Sequence, residues 1–535
     1  MDTVTQHRIL IADSLDPAGL ELLKASGAHV HVLTAEEKPR IAEIIADYDA
    51  LVVRSSTQVT ADLMRAGKRL RVVGRAGIGV DNVDVTAATE LGILVVNAPT
   101  ANLLSATEHT FALLFSLARR IPFADASMKA GNWDRKIVGV ELQGKTFGII
   151  GFGRIGQRAA IRARAFDMRV VAYDPFLDAA AARREEVELL SLEDLLAQAD
   201  VITLHTPLTE QTRNLLNRER LALMKKGALV INCGRGGVID EAALLEALES
   251  GHIGGAGLDV FAEEPPKDLA LVRHPKVVAT PHLGAQTREA QERISTETAE
   301  MLLASLSGSL AVAAVNLPFR PTGARVEPYL ALGETLGRMA SFLLGAAPQR
   351  LQVDLWGIEE AFRIPVSVAV TKGLLSTFLG EAVNYVNAER MATGREIEVV
   401  RSTHTAEGDY PHMVGVTLSG GGRTVELDGA LLGERDPRVV RIGGFRLEFR
   451  PQGKLLFVEN MDVPGVVGKV GTLLADAGIN IADIHLARTE HRGPQGEREA
   501  MAVLRLDQEP ADDLMAQLTG LGMVRSARRM DLSRR

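Results

Sequence analysis

Short apolar runs recur through the first half of the chain, each separated from the next by about the length of one helix. Runs at 8–12, 29–33, 50–54, 70–74 and 93–97 read as buried strands. Helical stretches at 17–26 and 38–47 lie between them, which predicts a parallel sheet covered by helices. A long helix over 105–120, with Ser105, Thr107 and Glu108 near its start, leads into a second set of runs. These lie at 147–150, 169–173, 200–205, 228–233, 255–259 and 277–280, with helices expected over 159–166 and 288–306. After a linker around 317–325 the pattern changes to a helix over 326–344, a strand over 351–355 and a helical stretch near 378–391. Alternating strands follow at 413–418 and 438–449, with Gly420, Gly421 and Gly422 as a hairpin turn. Residues 454–530 run β-α-β-β-α-β, with Gly493, Pro494 and Gly496 in the central turn, which is the ferredoxin-like plan.

The expected architecture is therefore α/β. Two Rossmann-like parallel-sheet lobes precede an α+β domain and a small ferredoxin-like domain. Only the second lobe carries a glycine fingerprint. We therefore expect a split first lobe, 1–98 with 286–315, around an inserted lobe at 99–285, followed by domains at 316–452 and 453–535.

The fingerprint follows the run at 147–150. Gly151, Gly153 and Gly156 stand in G-x-G-x-x-G spacing, and Asp174 ends the next strand. Gly151 permits the tight turn, Gly153 lets backbone approach a pyrophosphate, and Gly156 lets the helix sit close on the strand. The amides of Arg154 and Ile155 lie at a helix N-terminus, where partial positive charge favours phosphate. Asp174 can accept hydrogen bonds from both ribose hydroxyls, and its charge repels a 2′-phosphate. The expected cofactor is NAD rather than NADP.

Composition narrows the setting. The chain has 535 residues and a net charge of −8, with no basic run dense enough for nucleic acid. The single cysteine, Cys233, excludes an intramolecular disulfide framework and suits a reducing compartment. No zinc-type spacing, signal-peptide pattern or membrane-length apolar run is read, so a cytoplasmic protein with no metal, nucleic-acid or membrane partner is expected.

Three side chains late in the second lobe suggest chemistry. Arg235 follows the run at 228–233, where open α/β sheets place ligands, and its guanidinium can grip a carboxylate and a neighbouring carbonyl. His282 follows the run at 277–280 and can act as a base for a hydroxyl proton. Glu264, with Glu263 as its competitor, can orient the other ring nitrogen and raise the imidazole pKa. Asp259 could hold a nicotinamide carboxamide. In the first lobe, Arg54 and Arg75 end strands and offer two cations to a further anionic group.

The motifs that carry these residues resemble the D-isomer-specific 2-hydroxyacid dehydrogenase family. They are GRAGIGVDNVD (74–84), GIIGFGRIG (148–156), DVITLHTPLTEQTRNLLN (200–217), NCGRGGVID (232–240), GLDVFAEEP (257–265) and ATPHLGA (279–285). The resemblance implies a catalytic trio of Arg235, Glu264 and His282, and so selects Glu264 over Glu263. It implies cofactor contacts at Arg154, Ile155, Asp174, Thr206, Cys233, Asp259 and His282 through Gly284 and Ala285. It places substrate contacts at Arg54, Ser55, Arg75, Gly77, Ile78 and Asn102. The whole chain is similar to the long form of that family, with an intervening anion-sensing domain and a C-terminal ACT domain. That likeness implies oxidation of 3-phosphoglycerate to 3-phosphohydroxypyruvate with NAD, the first step of serine synthesis, by a homo-oligomer, dimer or tetramer. The stretch 454–484 resembles the ACT motif, so L-serine is the expected effector, with Asp462 meeting its ammonium and Asn480 reaching it from a neighbouring chain. The rival readings are a reductase for glyoxylate, hydroxypyruvate, D-lactate or 2-oxoglutarate, and an NAD-binding corepressor on the same fold.

Overall fold

The computed structural model describes residues 6–177, 182, 187–309, 314–320, 324–406, 409–433, 435–489 and 498–533. Four sheets organise them. The first has strands β1 (Arg8–Ile11), β2 (His29–Val32), β3 (Ala50–Val53), β4 (Val72–Arg75) and β5 (Leu94–Asn97), all parallel in the order β2-β1-β3-β4-β5. Ile9, Leu10, Ile11, Leu51 and Val53 are fully buried, which is why these strands read as continuous apolar runs. Far along the chain, the helix Arg288–Leu306 returns to this sheet. A Cβ built on Gly74 of β4 would lie 3.1 Å from Leu302 and 3.2 Å from Thr298 of that helix, so the contact needs a small residue. Asn316 then finishes the edge, accepting from the Val95 amide at 2.9 Å and donating to Ile93 O at 2.9 Å.

The second sheet has seven parallel strands: β6 (Thr146–Ile150), β7 (Arg169–Tyr173), β8 (Glu188–Leu189), β9 (Val201–Leu204), β10 (Ala228–Asn232), β11 (Ile253–Leu258) and β12 (Val277–Ala279), in the order β12-β11-β10-β9-β6-β7-β8. Two helices differ from expectation at their starts. The helix Arg154–Ala165 begins directly after Gly153, five residues before the expected 159. The helix Leu103–Ala118 starts before Ser105, and Ser105 and Thr107 are buried inside it rather than capping it. Thr107 donates to Leu103 O at 2.6 Å, the local bond by which a hydroxyl is tolerated within a helix.

The third sheet holds β13 (Arg350–Trp356), β14 (Glu398–His404), β15 (Met413–Gly420), β16 (Arg423–Leu432), β17 (Asp436–Ile442) and β18 (Phe445–Phe449). Its order is β14-β13-β15-β16-β17-β18, antiparallel except for β13 with β14. Two helices, Glu327–Leu344 and Glu360–Leu379, pack on each other and against this sheet. The second corrects the expectation of a helix only near 378–391. Its sequence IPVSVAVT is β-branched with Pro365 inside the helix, and Val366, Val368, Ala369 and Val370 are all fully buried. Exposed positions are confined to its two ends, so the central stretch 365–371 has no polar period to read. By length and composition alone Glu360–Ala382 could cross a membrane, but most of its apolar window is packed into this core.

The last sheet holds β19 (Lys454–Met461), β20 (Ile481–Arg488), β21 (Glu499–Leu506) and β22 (Val524–Asp531), antiparallel in the order β20-β21-β19-β22. One face packs on the helices Val466–Asp476 and Asp512–Gly520. The other, through Leu455, Phe457, Ala487, Met501 and Val503, joins the core of the third sheet. The turn residues Gly493, Pro494 and Gly496 lie outside the described residues.

Candidate active site

The loop after β6 is built for close approach. Gly151 has φ 91°, and a Cβ there would meet the His205 backbone at 2.9 Å. A Cβ on Gly156 would lie 2.5 Å from Gly151 O, so this glycine lets the helix rest on the loop. A Cβ on Gly153 would meet no protein atom within 4 Å, so the protein's own packing does not require glycine there. An incoming pyrophosphate does. Arg154 and Ile155 open the helix, and no side chain caps it, which leaves first-turn amides as anion donors. Asp174 is braced at the end of β7, accepting from the Phe152 amide at 2.8 Å and the Phe176 amide at 2.9 Å. Thr206, just beyond β9, has a buried Oγ1 with no hydrogen-bond partner among the described residues. Such an orphan, beside an open glycine loop, is the donor set a dinucleotide would complete. Burial pushes the Cys233 thiol up to about 12, so it is an inert wall residue, not a nucleophile.

The turn after β12 carries His282. Its φ is 55°, a left-handed conformation that costs a non-glycine residue about 1–3 kcal/mol and persists only where its surroundings fix it. Asp259 fixes it. The carboxylate accepts from Thr280 Oγ1 at 2.6 Å and from the amides of Leu283 and Gly284 at 2.7 and 2.8 Å. Its carbonyl accepts from the His282 amide at 2.9 Å. His109 Nε2 lies 3.2 Å from the same carboxylate and 2.9 Å from Thr280 Oγ1. Asp259 is 1% exposed, and these bonds make it the anchor of the turn as well as the candidate carboxamide acceptor. Glu264 Oε2 stands 2.8 Å from His282 Nδ1, and its Oε1 accepts from the Phe261 amide at 3.1 Å. The hydrogen bond to Glu264 raises the His282 pKa against the opposing pull of burial. Burial would lift the Glu264 carboxyl, but the bonds from His282 and Phe261 carry it below its usual value. With Nδ1 engaged, Nε2 is the nitrogen free for proton transfer.

Cations from both sheets converge on the same cleft. Arg235 follows β10, its turn shaped by Asn232, whose side chain bonds both Gly234 N (3.0 Å) and Arg235 O (2.9 Å). Arg75 ends β4; burial, then the nearby charges of Arg235 and Arg54, lower its pKa to about 10 against the opposing pull of Asp81. Its Nε is buried without a partner among the described residues, as is Asn102 Oδ1. Asn102 occupies the N-cap of the helix Leu103–Ala118 but makes no capping bond. Gly77 has φ 147°, and a Cβ there would strike Arg75 Nη1 at 1.6 Å; Ile78 O accepts from Asn97 Nδ2 at 2.5 Å. Ser55 is exposed beside Arg54. Reading the sequence missed Asp81, His109 and Thr280, whose roles depend on partners distant along the chain that no local spacing reveals.

The proposed effector pair is not brought together within one chain. The Asp462 amide bonds Arg498 O, and its carboxylate pairs with Arg488 at 3.2 Å. Asn480 donates to Asp507 at 2.8 Å. These partners flank opposite ends of β21, which spans eight residues and hence roughly 25 Å.

Three family models match the chain. They are the NAD binding domain of D-isomer specific 2-hydroxyacid dehydrogenases over residues 111–284, the D-3-phosphoglycerate dehydrogenase intervening domain over 325–443, and the ACT domain over 454–522. The chain is 41% identical over 540 residues to the D-3-phosphoglycerate dehydrogenase of Bacillus subtilis, covering 98% of this chain and 99% of that one. The chain belongs to the D-3-phosphoglycerate dehydrogenase family. The Methanocaldococcus jannaschii member is 42% identical over 516 residues, covering 96% of this chain and 97% of its own. Among solved structures, the TT0316 protein of Thermus thermophilus matches with TM-score 0.54 and 38% identity over 58% of this chain and 99% of that one. A D-lactate dehydrogenase from Aquifex aeolicus, solved with NAD and lactic acid, matches with TM-score 0.52 and 31% identity over 57% of this chain and 96% of its own. Family membership carries the NAD-binding domain with it, and the open loop at Gly153 and the orphan Thr206 hydroxyl fit that cofactor.

Proposed function

We propose that this chain oxidises the C2 hydroxyl of 3-phospho-D-glycerate to 3-phosphohydroxypyruvate with NAD, the step that opens serine synthesis. The observation that carries this reading is that Arg75 and Arg235 are seated on Gly77 and Gly79 of one turn, with Arg54 near enough to act on Arg75 and Arg235 near enough to act on His282. One cation serves the substrate carboxylate and two remain for a phosphate. His282 Nε2 accepts the hydroxyl proton, and Glu264 holds the ring and stabilises the imidazolium. Arg235 grips the carboxylate and polarises the forming carbonyl. Arg54 and Arg75, with Ser55, hold the phosphate, while Gly77, Ile78 and Asn102 position the carboxylate end. Gly151, Gly153, Gly156, Arg154 and Ile155 cradle the pyrophosphate of NAD, and Asp174 takes its ribose. Thr206, Cys233, Asp259, Gly284 and Ala285 line the rest of that site. When bound, NAD supplies the hydride acceptor. The test is absorbance of NADH formed from 3-phosphoglycerate, beside D-glycerate, D-lactate and 2-hydroxyglutarate. Fastest turnover per unit concentration on the phosphorylated acid supports the reading. Turnover of an unphosphorylated acid alone favours a general 2-hydroxyacid dehydrogenase, and none at all favours a corepressor.

The same reading takes the enzyme as a cytoplasmic homo-oligomer regulated by L-serine. Trp133 and Val138, each 77% exposed, support a subunit interface beyond the helix Ile121–Lys129. The opposite placement of Asp462 and Asn480 supports a serine site shared between neighbouring ACT domains. Inhibition by millimolar serine, lost in Asp462→Ala with Asn480→Ala, is the expected outcome; unchanged inhibition in that variant moves the site elsewhere.

A further inference from the structure

We propose that the turn from Gly77 to Asp81 is a cradle for the Arg235 guanidinium, with Gly79 and Asp81 as positioning residues for the reaction. The inference rests on the substrate reading above and adds how a cation of the second sheet is held in register with the anion site of the first.

Gly77 and Gly79 each seat one arginine. Gly77 lies under Arg75, its neighbour in the chain, and its positive φ requires glycine on backbone grounds as well. Gly79 lies under Arg235, which belongs to the other sheet. A Cβ on Gly79 would fall 2.1 Å from Arg235 Nη2 and 2.6 Å from Asp81 Oδ2. Gly79 is not among the residues with positive φ, so the Arg235 guanidinium and its Asp81 partner, not the backbone, demand a glycine there. Asp81 Oδ2 then stands 3.2 Å from Arg235 Nε, and Arg235 Nη1 donates to Gly234 O at 2.8 Å. The guanidinium is thus held on three sides: by its own turn, by the Gly79 backbone and by the Asp81 carboxylate. The remaining donors, at the Nη1–Nη2 end, are the part free to meet a substrate carboxylate.

The cradle also answers an electrostatic problem. Arg75 and Arg235 are like charges, Arg235 helps lower the Arg75 pKa, and a like charge alone would drive the two apart. Asp81 acts on both, opposing the shift at Arg75 while pairing with Arg235. It sets the distance between the cation that serves the carboxylate and a cation that serves the phosphate, and so the length of substrate that fits.

Gly79→Ala separates this role from folding, because the nearest atom it meets is the end of a flexible side chain. The expected result is a fall in kcat/KM for 3-phosphoglycerate on the order of 10²-fold, shared between kcat and KM, as misplacement of a substrate-gripping group produces. NADH affinity and melting temperature should stay at wild-type values. In an Arg235→Ala background the same change should cost nothing further, because the displaced group is already gone. Asp81→Asn should give a smaller loss of the same kind. Binding of oxalate to the NADH-loaded enzyme, read by calorimetry over the same variants, gives an answer that does not depend on turnover of the phosphorylated acid. Oxalate binding weakened by Gly79→Ala and not weakened further in the Arg235→Ala background supports the cradle even if 3-phosphoglycerate proves a poor substrate. Wild-type kinetics and oxalate affinity in Gly79→Ala, or an equal loss with and without Arg235, would overturn it.

Discussion

After β6 the chain turns through Gly151, Phe152 and Gly153; after β1, at the matching point of the other parallel sheet, it turns through Ala12, Asp13 and Ser14. The two turns treat negative charge in opposite ways. At Gly153 the loop has no side chain, and the helix behind it begins with uncapped amides. At Asp13 the chain brings its own anion. That carboxylate, nearly buried, pairs with Lys38 and accepts from Ser56 Oγ at 2.6 Å, Thr57 Oγ1 at 2.7 Å and the Arg54 amide at 2.7 Å. Burial would raise its pKa, but these donors hold it down at about 2. The donors that one turn leaves open, the other spends on itself. Spending them fixes the segment 54–57, so the first sheet presents charge through the side chains of Arg54 and Arg75 rather than through backbone amides. On the proposed reading, one architecture makes two anion sites, one of backbone and one of arginine, and their loops decide which is which.

The largest break in this arrangement is at the cleft the two sheets share. His282→Ala should lower turnover by roughly 10²–10⁴-fold while leaving NADH binding intact, checked by initial rates and fluorescence titration. Closing the open turn comes next. Gly153→Val meets no protein atom near its Cβ, so melting temperature should hold while NADH affinity falls roughly 10–100-fold through lost amide contacts to phosphate. Glu264→Gln tests the histidine's poise. Oxidation needs neutral imidazole, so its rate rises as pH climbs through the raised His282 pKa. Removing the carboxylate lowers that pKa, and the rise should move to lower pH; a rise that moves upward or stays put would show that Glu264 does not set it. The smallest effect is on stability. Asp13→Asn should cost about 1–3 kcal/mol at neutral pH. Because the folded pKa is depressed, that advantage is present above the unfolded value of 3.8 and is lost as pH falls toward 2, so the gap in melting temperature should narrow across that window.

Much of this was legible in the sequence. Buried parallel strands announce themselves as short apolar runs, and the glycine spacing with Asp174 pointed to the cofactor turn because Gly151 and Gly156 answer local packing needs and Gly153 leaves room for a ligand. The motifs pointed to Arg235, Glu264 and His282, and the pairing of Glu264 with His282 that they suggested is present at 2.8 Å. Asp13 was not, since its partners lie about 25 to 44 positions along the chain and its value lies in their convergence. Asp81 was hidden for the same reason, although it stands inside a motif that was read. The helix Glu360–Leu379 escaped because burial all round its centre erases the polar period that marks a helix.

The central claim is that the arginine-bearing sheet reads the phosphate of the substrate while the glycine-bearing sheet holds the cofactor. The most direct test is kcat/KM of wild type and Arg75→Ala on 3-phosphoglycerate and on D-glycerate, with NADH affinity measured on both proteins. Loss of a charged contact worth about 1.5–3 kcal/mol predicts a fall of roughly 10–100-fold on the phosphorylated acid, little change on the unphosphorylated one and unchanged NADH binding. Equal losses on the two acids, or a matching loss of NADH affinity, would contradict it.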